Sequence, residues 1–568
     1  MNQKALETLE YHKIIQRLAE RCHFSASRDK ALALHPSTEM EEVETMQAET
    51  AEAVRLLSYH PGTTIGGARD LRPLVEDATR GILLEPEALL KVKYSLVAAR
   101  NLKRFMDDVE KEYPHLLEIS SRLPGSLGLV DAITRAISDE GEIKDSASED
   151  LARIRRELSQ QHDRLRERME SMINSSQVSK YLQEPIFTQR GGRYVLPIRA
   201  DAKGKVRGIV HDKSASGATL YLEPERVVEA NNRHRQLKVD ERDEERRVLS
   251  ALSRLVGDHA RELKEMVETQ AHFDLALARG RFAGDLDAHR PTLHTFPGNR
   301  QGKHPGVVLR LYSARHPLLP RDEVVPIDVS LDEDTYALII TGPNTGGKTV
   351  TLKTVGLLAC MAQSGLHIPA AAGSEISLFE NVFADIGDEQ SIEQSLSTFS
   401  SHITNIIHIL DEANPHSLVI LDELGAGTDP QEGAALARAL MNHILARGVT
   451  TLVTTHHPEL KAYAHTTPGV VNASVEFDLE TLEPTYHLTV GLPGRSNALA
   501  IARRLGLREE IVSEARQKIN PADVQADDLL DEIRRQRNMA EEARQAAENA
   551  RREAEEMRQE LAQRLQDI

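Results

Sequence analysis

Gly342-Pro343-Asn344-Thr345-Gly346-Gly347-Lys348-Thr349 stands directly after the apolar run Tyr336-Ala337-Leu338-Ile339-Ile340 and directly before a helical pattern. Between a strand and a helix this spacing reads as a phosphate-binding loop. Its glycines let backbone N–H groups turn inward around phosphates, Lys348 can reach the β- and γ-phosphates, and the Thr349 hydroxyl is placed to ligate magnesium. The expectation is a site for a nucleoside triphosphate.

Working outward, two further apolar runs end in polar residues, the pattern of a parallel sheet with its site at the carboxyl edge. Leu418-Val419-Ile420-Leu421 ends in Asp422-Glu423, and Asp422 follows the loop lysine by 74 residues, room for intervening helices. This is a Walker B arrangement, with Asp422 on hydrated magnesium and Glu423 orienting or deprotonating the attacking water. The run 449–455 ends in His456-His457. His456 either contacts the γ-phosphate or the water, or is a polar strand terminus. Gln390, between loop and acid, could bridge water and magnesium with its amide. Ser395-Leu396-Ser397-Thr398-Phe399-Ser400-Ser401 precedes a helical pattern with Ile403, Ile406, Ile407 and Leu410 on one face. Ser397 is thus a helix cap, or an anion site that completes a second subunit's pocket.

At 568 residues the chain is too long for one core. Cys22 and Cys360 are its two cysteines, so no disulfide framework supports it. No signal-peptide core opens the sequence and no later apolar run approaches a membrane span, so the expectation is a cytoplasmic protein with no membrane partner. A net charge of −18 argues against a chain that coats nucleic acid along its whole surface, and leaves room for a local basic patch.

Upstream of the loop the pattern is mostly helical. Residues 6–136 carry apolar positions at helical spacing. Residues 145–174 follow as a charged helix with Leu151, Ile154, Leu158, Leu165 and Met169 as its stripe, and residues 235–280 repeat such a seam with Leu249, Leu252, Val256, Leu263, Met266 and Val267. The two runs are expected to pair as an antiparallel coiled arm. Between them, residues 185–224 turn to short β-prone runs, read as a small sheet at the tip of the arm. Within residues 190–213 Arg190, Arg193, Arg199, Lys203, Lys205, Arg207 and Lys213 oppose Asp201 and Asp212, a local net of +5. Those cations either contact nucleic-acid phosphates or are ordinary solvated strand residues. A Pro/Gly-rich loop marks a boundary near residue 291, and beyond it strands alternate with helices, a wound sheet. The expected domains are 1–136 (helical), 137–234 (coiled arm with β tip), 235–290 (returning arm), 291–519 (wound sheet with the phosphate loop) and 520–568 (charged helix, either a tether or a coiled coil). The fold class is multidomain α and α/β.

The order Gly342 to Thr349, Ser397-Thr398-Phe399, Asp422-Glu423-Leu424-Gly425-Ala426-Gly427-Thr428, Thr455-His456 resembles the MutS ATPase family. Gly191-Gly192-Arg193-Tyr194-Val195-Leu196-Pro197, Gly208-Ile209-Val210-His211-Asp212-Lys213-Ser214-Ala215-Ser216-Gly217, Glu223-Pro224, Asn231-Asn232 and Ala314-Arg315-His316-Pro317 look like its type-two bacterial branch. The resemblance covers nearly the whole chain. It implies ATP with Mg2+ as cofactors and an ABC-type ATPase in a homodimer, with Ser397 of one subunit meeting the nucleotide of the other. It further implies a lever and clamp closing on a nucleic-acid partner: branched DNA in suppressing recombination, or rRNA of collided ribosomes that are split. The sequence starts in the lever, without the family's mismatch-reading domains, and ends in the linker helix, without its small nuclease domain, so neither mismatch recognition nor nuclease activity is assigned.

An SMC- or Rad50-like ATPase would insert the arm between the loop and the acidic strand, whereas here it precedes Gly342. A transporter ATPase would show a Leu-Ser-Gly-Gly-type signature in place of Leu396-Ser397-Thr398-Phe399. The remaining alternative is a nucleotide-gated DNA-binding or tethering module with very slow hydrolysis.

Overall fold

The computed structural model describes residues 1–109, 112–296, 304–343, 346–387, 395–478, 481, 483–492, 498–517 and 539. They form a mixed helical and α/β protein with three sheets, in two compact units. One comprises Met1–Arg21, Ala31–Gly62 and Ala276–Ile568; the other comprises Cys22–Lys30 and Thr63–Leu275. This grouping cuts across the linear boundary expected at residue 136. Among the described residues no helix is long and apolar enough to cross a membrane.

In the first unit a six-stranded sheet runs in the order Asn381–Asp385, Ser417–Leu421, Thr450–Thr454, Thr335–Thr341, Gly469–Asp478, Glu483–Val490. The first five are mutually parallel and the sixth returns antiparallel. Leu338, Ile339, Ile340, Leu418, Val419, Ile420, Leu452 and Val453 are fully buried, as expected of strands covered on both faces. A second sheet orders Thr292–His294, Glu375–Ser377, Leu309–Ala314 and Ile327–Leu331.

Helix Lys348–Gln363 crosses the six-stranded sheet and is covered by the chain's first residues. A Cβ at Gly356 would fall 2.6 Å from Ile420 Cδ1 and 2.9 Å from Leu9 Cδ2, so glycine permits the close approach on both sides. Tyr11 hydroxyl and Ser364 Oγ lie 2.6 Å apart, and Lys4 Nζ donates to Asn405 Oδ1 at 2.8 Å. The burial of Ala5, Leu6, Leu9, Ile14 and Leu18 explains why Met1–Arg21 groups with the strands of the six-stranded sheet.

In the second unit helix Glu149–Asn174 is capped by Ser148, whose Oγ accepts the Leu151 N–H at 2.9 Å. It packs on helix Val228–Asp258 through Ile154, Leu158 and Leu237, and Arg155 reaches Glu241 at 3.0 Å and Glu245 at 2.8 Å. The seam expected over residues 235–280 does not continue as one helix. It breaks at His259 into Val228–Asp258 and Ala260–Leu286, and its later part serves another neighbour. A Cβ at Gly257 would lie 3.2 Å from Ala78 O, and Ser253 Oγ accepts the Leu84 N–H at 2.8 Å. A helix long enough to span two partners divides its apolar stripe between them.

Strands Thr188–Arg190, Arg193–Arg199, Thr219–Pro224 and Gly208–Lys213 lie in that spatial order, each antiparallel to the next. Leu196, Ile198, Leu220 and Leu222 from this sheet share a core with Leu165 and Met169.

Candidate nucleotide site

Parallel strands put their carboxyl ends along one edge, and three of those ends meet here. Lys348 opens helix Lys348–Gln363 and is 1% exposed; its Nζ donates to Gly342 O at 3.0 Å. Gly342 has φ +133° and Gly347 φ +90°, both in the left-handed half of backbone space that glycine tolerates. A Cβ at Gly342 or Gly346 would come 2.7 Å from Val475 Cγ2, so the loop is pressed against the neighbouring strand. Pro343 precedes Gly346, whose N–H donates to its carbonyl at 3.1 Å. Asn344 and Thr345 lie outside the described residues.

Thr349 Oγ1 donates to Asp422 Oδ2 at 2.7 Å, joining loop helix to acidic strand. Thr454 holds the other oxygen: its hydroxyl donates to Asp422 Oδ1 and accepts the Glu423 N–H at 2.8 Å. Glu423 has φ +50°, an uncommon conformation for a residue with a side chain, and such strain gathers at functional sites. His456 Nε2 lies 3.2 Å from Glu423 Oε1 and 3.2 Å from Lys348 Nζ. The structure therefore brings Gly342, Lys348, Thr349, Asp422, Glu423 and His456 together. Two oxygens, from Thr349 and Asp422, form the hard donor set that suits a magnesium ion sharing phosphate ligands.

Gln390 lies outside the described residues. Ser397 falls in the first turn of helix Ser395–Glu412, and its side chain is also outside them. Three residues of the neighbourhood escaped the sequence reading. Thr454 could have been suspected as the residue two before His456, at the strand end. Asp385 closes strand Asn381–Asp385, and its carbonyl accepts the Asp422 N–H at 2.8 Å. Tyr486 stands over the loop, 3.0 Å from where a Cβ at Gly347 would be; it has φ +61° and is 46% exposed. No local pattern announces it.

The basic tip is less uniform than its charge count. Arg193 Nη1 donates to Glu223 Oε1 at 2.7 Å and its Nη2 to Asn232 Oδ1 at 2.7 Å. Glu223 is fully buried and is also met by His211 Nε2 at 2.6 Å and Asn231 Nδ2 at 2.8 Å. Arg190 stacks over the Tyr221 ring at 4.4 Å, and Arg199 pairs with Asp201 at 3.3 Å. Lys203, Lys205, Arg207 and Lys213 are exposed and hold no ion pair among the described residues.

Residues 338–522 match the family description MutS domain V. The chain is 48% identical over 544 residues to Endonuclease MutS2 of Pelotomaculum thermopropionicum, covering 96% of this chain and 68% of that protein. It is 49% identical over 546 residues to Endonuclease MutS2 of Thermomicrobium roseum, covering 95% and 69%. With Endonuclease MutS2 of Alkaliphilus oremlandii it shares 44% over 543 residues, covering 95% and 68%. The chain thus spans about two thirds of the length of these relatives, and a match to MutS domain V together with similarity over nearly its whole length places it in the MutS2 family.

Proposed function

We propose that the chain is a Mg2+-dependent ATPase whose nucleotide state drives a clamp acting on nucleic acid. The meeting of Lys348, Thr349, Asp422, Glu423 and His456 at one sheet edge supports this reading most strongly. Gly346, Gly347 and Lys348 bind the β- and γ-phosphates of ATP, with Lys348 exchanging its contact to Gly342 O for phosphate oxygen. Thr349 and Asp422 would hold magnesium, whose charge would offset that of the phosphates. Glu423 orients and deprotonates the water, and His456, beside both Glu423 and Lys348, adjusts the carboxylate to the γ-phosphate. Tyr486 offers a flat face beside the loop for the base.

The finer reading follows the family. Two subunits form composite sites, Ser397 of one reaching the nucleotide of the other, and the Gln390 amide would serve the attacking water and magnesium. The five-part division into lever, clamp, returning arm, ATPase and linker helix carries closure from that site to the tip. The partner is branched DNA, in suppressing recombination, or the rRNA of collided ribosomes, in a cytoplasmic protein. Exposed Lys203, Lys205, Arg207 and Lys213 are the cations best placed to meet its phosphates. The test is ATP turnover by the purified chain alone, with branched DNA and with ribosomes. Turnover that needs Mg2+ and responds to one of the two partners is expected; absence of turnover under all three conditions rejects the ATPase reading.

A further inference from the structure

Beside the strand end that carries Asp422 lies a second polar cluster with no direct part in the proposed chemistry. Asp385 is its centre. Its backbone carbonyl accepts the Asp422 N–H at 2.8 Å, while its side chain is 8% exposed and meets helix Ser395–Glu412. His402 Nδ1 lies 2.7 Å from Asp385 Oδ2, and Asn405 Nδ2 donates to Asp385 Oδ1 at 2.9 Å and to Ala384 O at 3.2 Å. Lys4 Nζ in turn donates to Asn405 Oδ1 at 2.8 Å.

His402 and Asn405 stand one turn apart on the same helix face, so both donors reach one carboxylate. The His402 ring also needs Gly387, where a Cβ would fall 2.7 Å from Cε1 and from Nε2. The hydrogen bond to Asp385 holds the His402 imidazolium above its ordinary range; burial opposes this, and the charges of Asp385 and Asp422 add to it. Asp385 is therefore tied by its backbone to the magnesium-site strand and by its side chain to the helix whose first turn contains Ser397. A buried carboxylate loses heavily when its donors leave, so strand end and helix are held as one body.

We infer that His402, through Asp385 and supported by Asn405, is a positioning residue of the ATPase reaction: it fixes Asp422 relative to the helix beginning at Ser395. This rests on the nucleotide-site reading above.

The test is steady-state turnover of the full chain at varied ATP and Mg2+. His402→Ala is expected to lower kcat by about tenfold or more with KM for ATP within about threefold, because the group does not touch substrate. The Mg2+ concentration for half-maximal rate should rise by about threefold or more as Asp422 loses its fixed position. His402→Asn keeps a donor at the Nδ1 position and should restore most of kcat, a rescue that a simple cavity effect would not give. Gly387→Ala, crowding the ring from the other side, should reproduce the His402→Ala pattern. If wild type turns over, Glu423→Gln does not, and His402→Ala matches wild type in kcat and Mg2+ requirement, this inference alone falls. It falls equally if His402→Asn is as impaired as His402→Ala. If wild type itself shows no turnover, the ATPase reading falls and this inference with it.

Discussion

The sheet edge around Lys348 and the small sheet around Arg193 both gather charged residues, and they use them in opposite ways. At the nucleotide site the groups come from separate strands and meet at their ends: Thr349 with Asp422, His456 with Glu423 and Lys348. At the small sheet the best-placed arginine is spent inward, on fully buried Glu223 together with His211 and Asn231. Residue type at a parallel-sheet edge predicts place and chemistry together, because topology converts sequence order into proximity. Charge density on an antiparallel sheet predicts neither, since alternate residues point to opposite faces.

The largest expected effect sharpens the first half of that contrast. Lys348→Ala removes a buried amino group that on this account would face the phosphates, and should weaken ATP binding by on the order of 100-fold, about 3 kcal/mol. Equilibrium titration with a fluorescent ATP analogue measures it, and near-wild-type affinity would break the assignment.

Next is the buried network of the small sheet. Glu223→Ala leaves Arg193 without its carboxylate and should destabilise the second unit by about 3 kcal/mol, the usual cost of breaking a buried pair. Denaturant unfolding with hydrogen exchange in strands Arg193–Arg199 and Thr219–Pro224 reads the effect. Unchanged protection would return Arg193 to the pool of surface cations.

The exposed cations should behave differently from Arg193. Replacing Lys203, Lys205, Arg207 and Lys213 together should leave stability within about 0.5 kcal/mol, as surface changes usually do. On duplex DNA each phosphate that is no longer neutralised should reduce the salt slope by roughly 0.9. An unaltered slope with a folded variant would move the DNA-binding surface elsewhere.

Acid should act more gently. Burial holds His304, His316 and His367 neutral, each at about 4 against an ordinary value of 6.5, and all three lie in the unit that contains the nucleotide site. Between pH 6.5 and 4 the unfolded chain takes up protons that the folded unit refuses, so stability is lost as pH falls through that window and is retained above it. Thermal melts at pH 7 and pH 5 check this; a higher midpoint at pH 5 would contradict it.

Much of the site was legible because its signals are local runs at strand ends: Gly342, Lys348-Thr349, Asp422-Glu423 and His456 stand at or just beyond the ends of parallel strands. What stayed hidden depends on packing between residues distant in sequence. Asp385, His402 and Asn405 read as ordinary polar residues until strand and helix meet. The covering of Gly356 by Leu9 joins residues 347 apart, and no periodicity in the first helices tells which surface they will seek. The break at His259 was invisible because both helices carry the same apolar spacing, and the division of that stripe between two neighbours is a property of packing.

The central claim is that one edge of the six-stranded sheet binds ATP with one set of groups and hydrolyses it with another. Its most direct test compares ATP affinity and single-turnover hydrolysis in Glu423→Gln. The predicted result is affinity within about threefold of wild type and a hydrolysis rate lower by about 100-fold or more, since Glu423 acts on the water and not on the phosphates. Hydrolysis at the wild-type rate, or loss of ATP binding in step with hydrolysis, would contradict it.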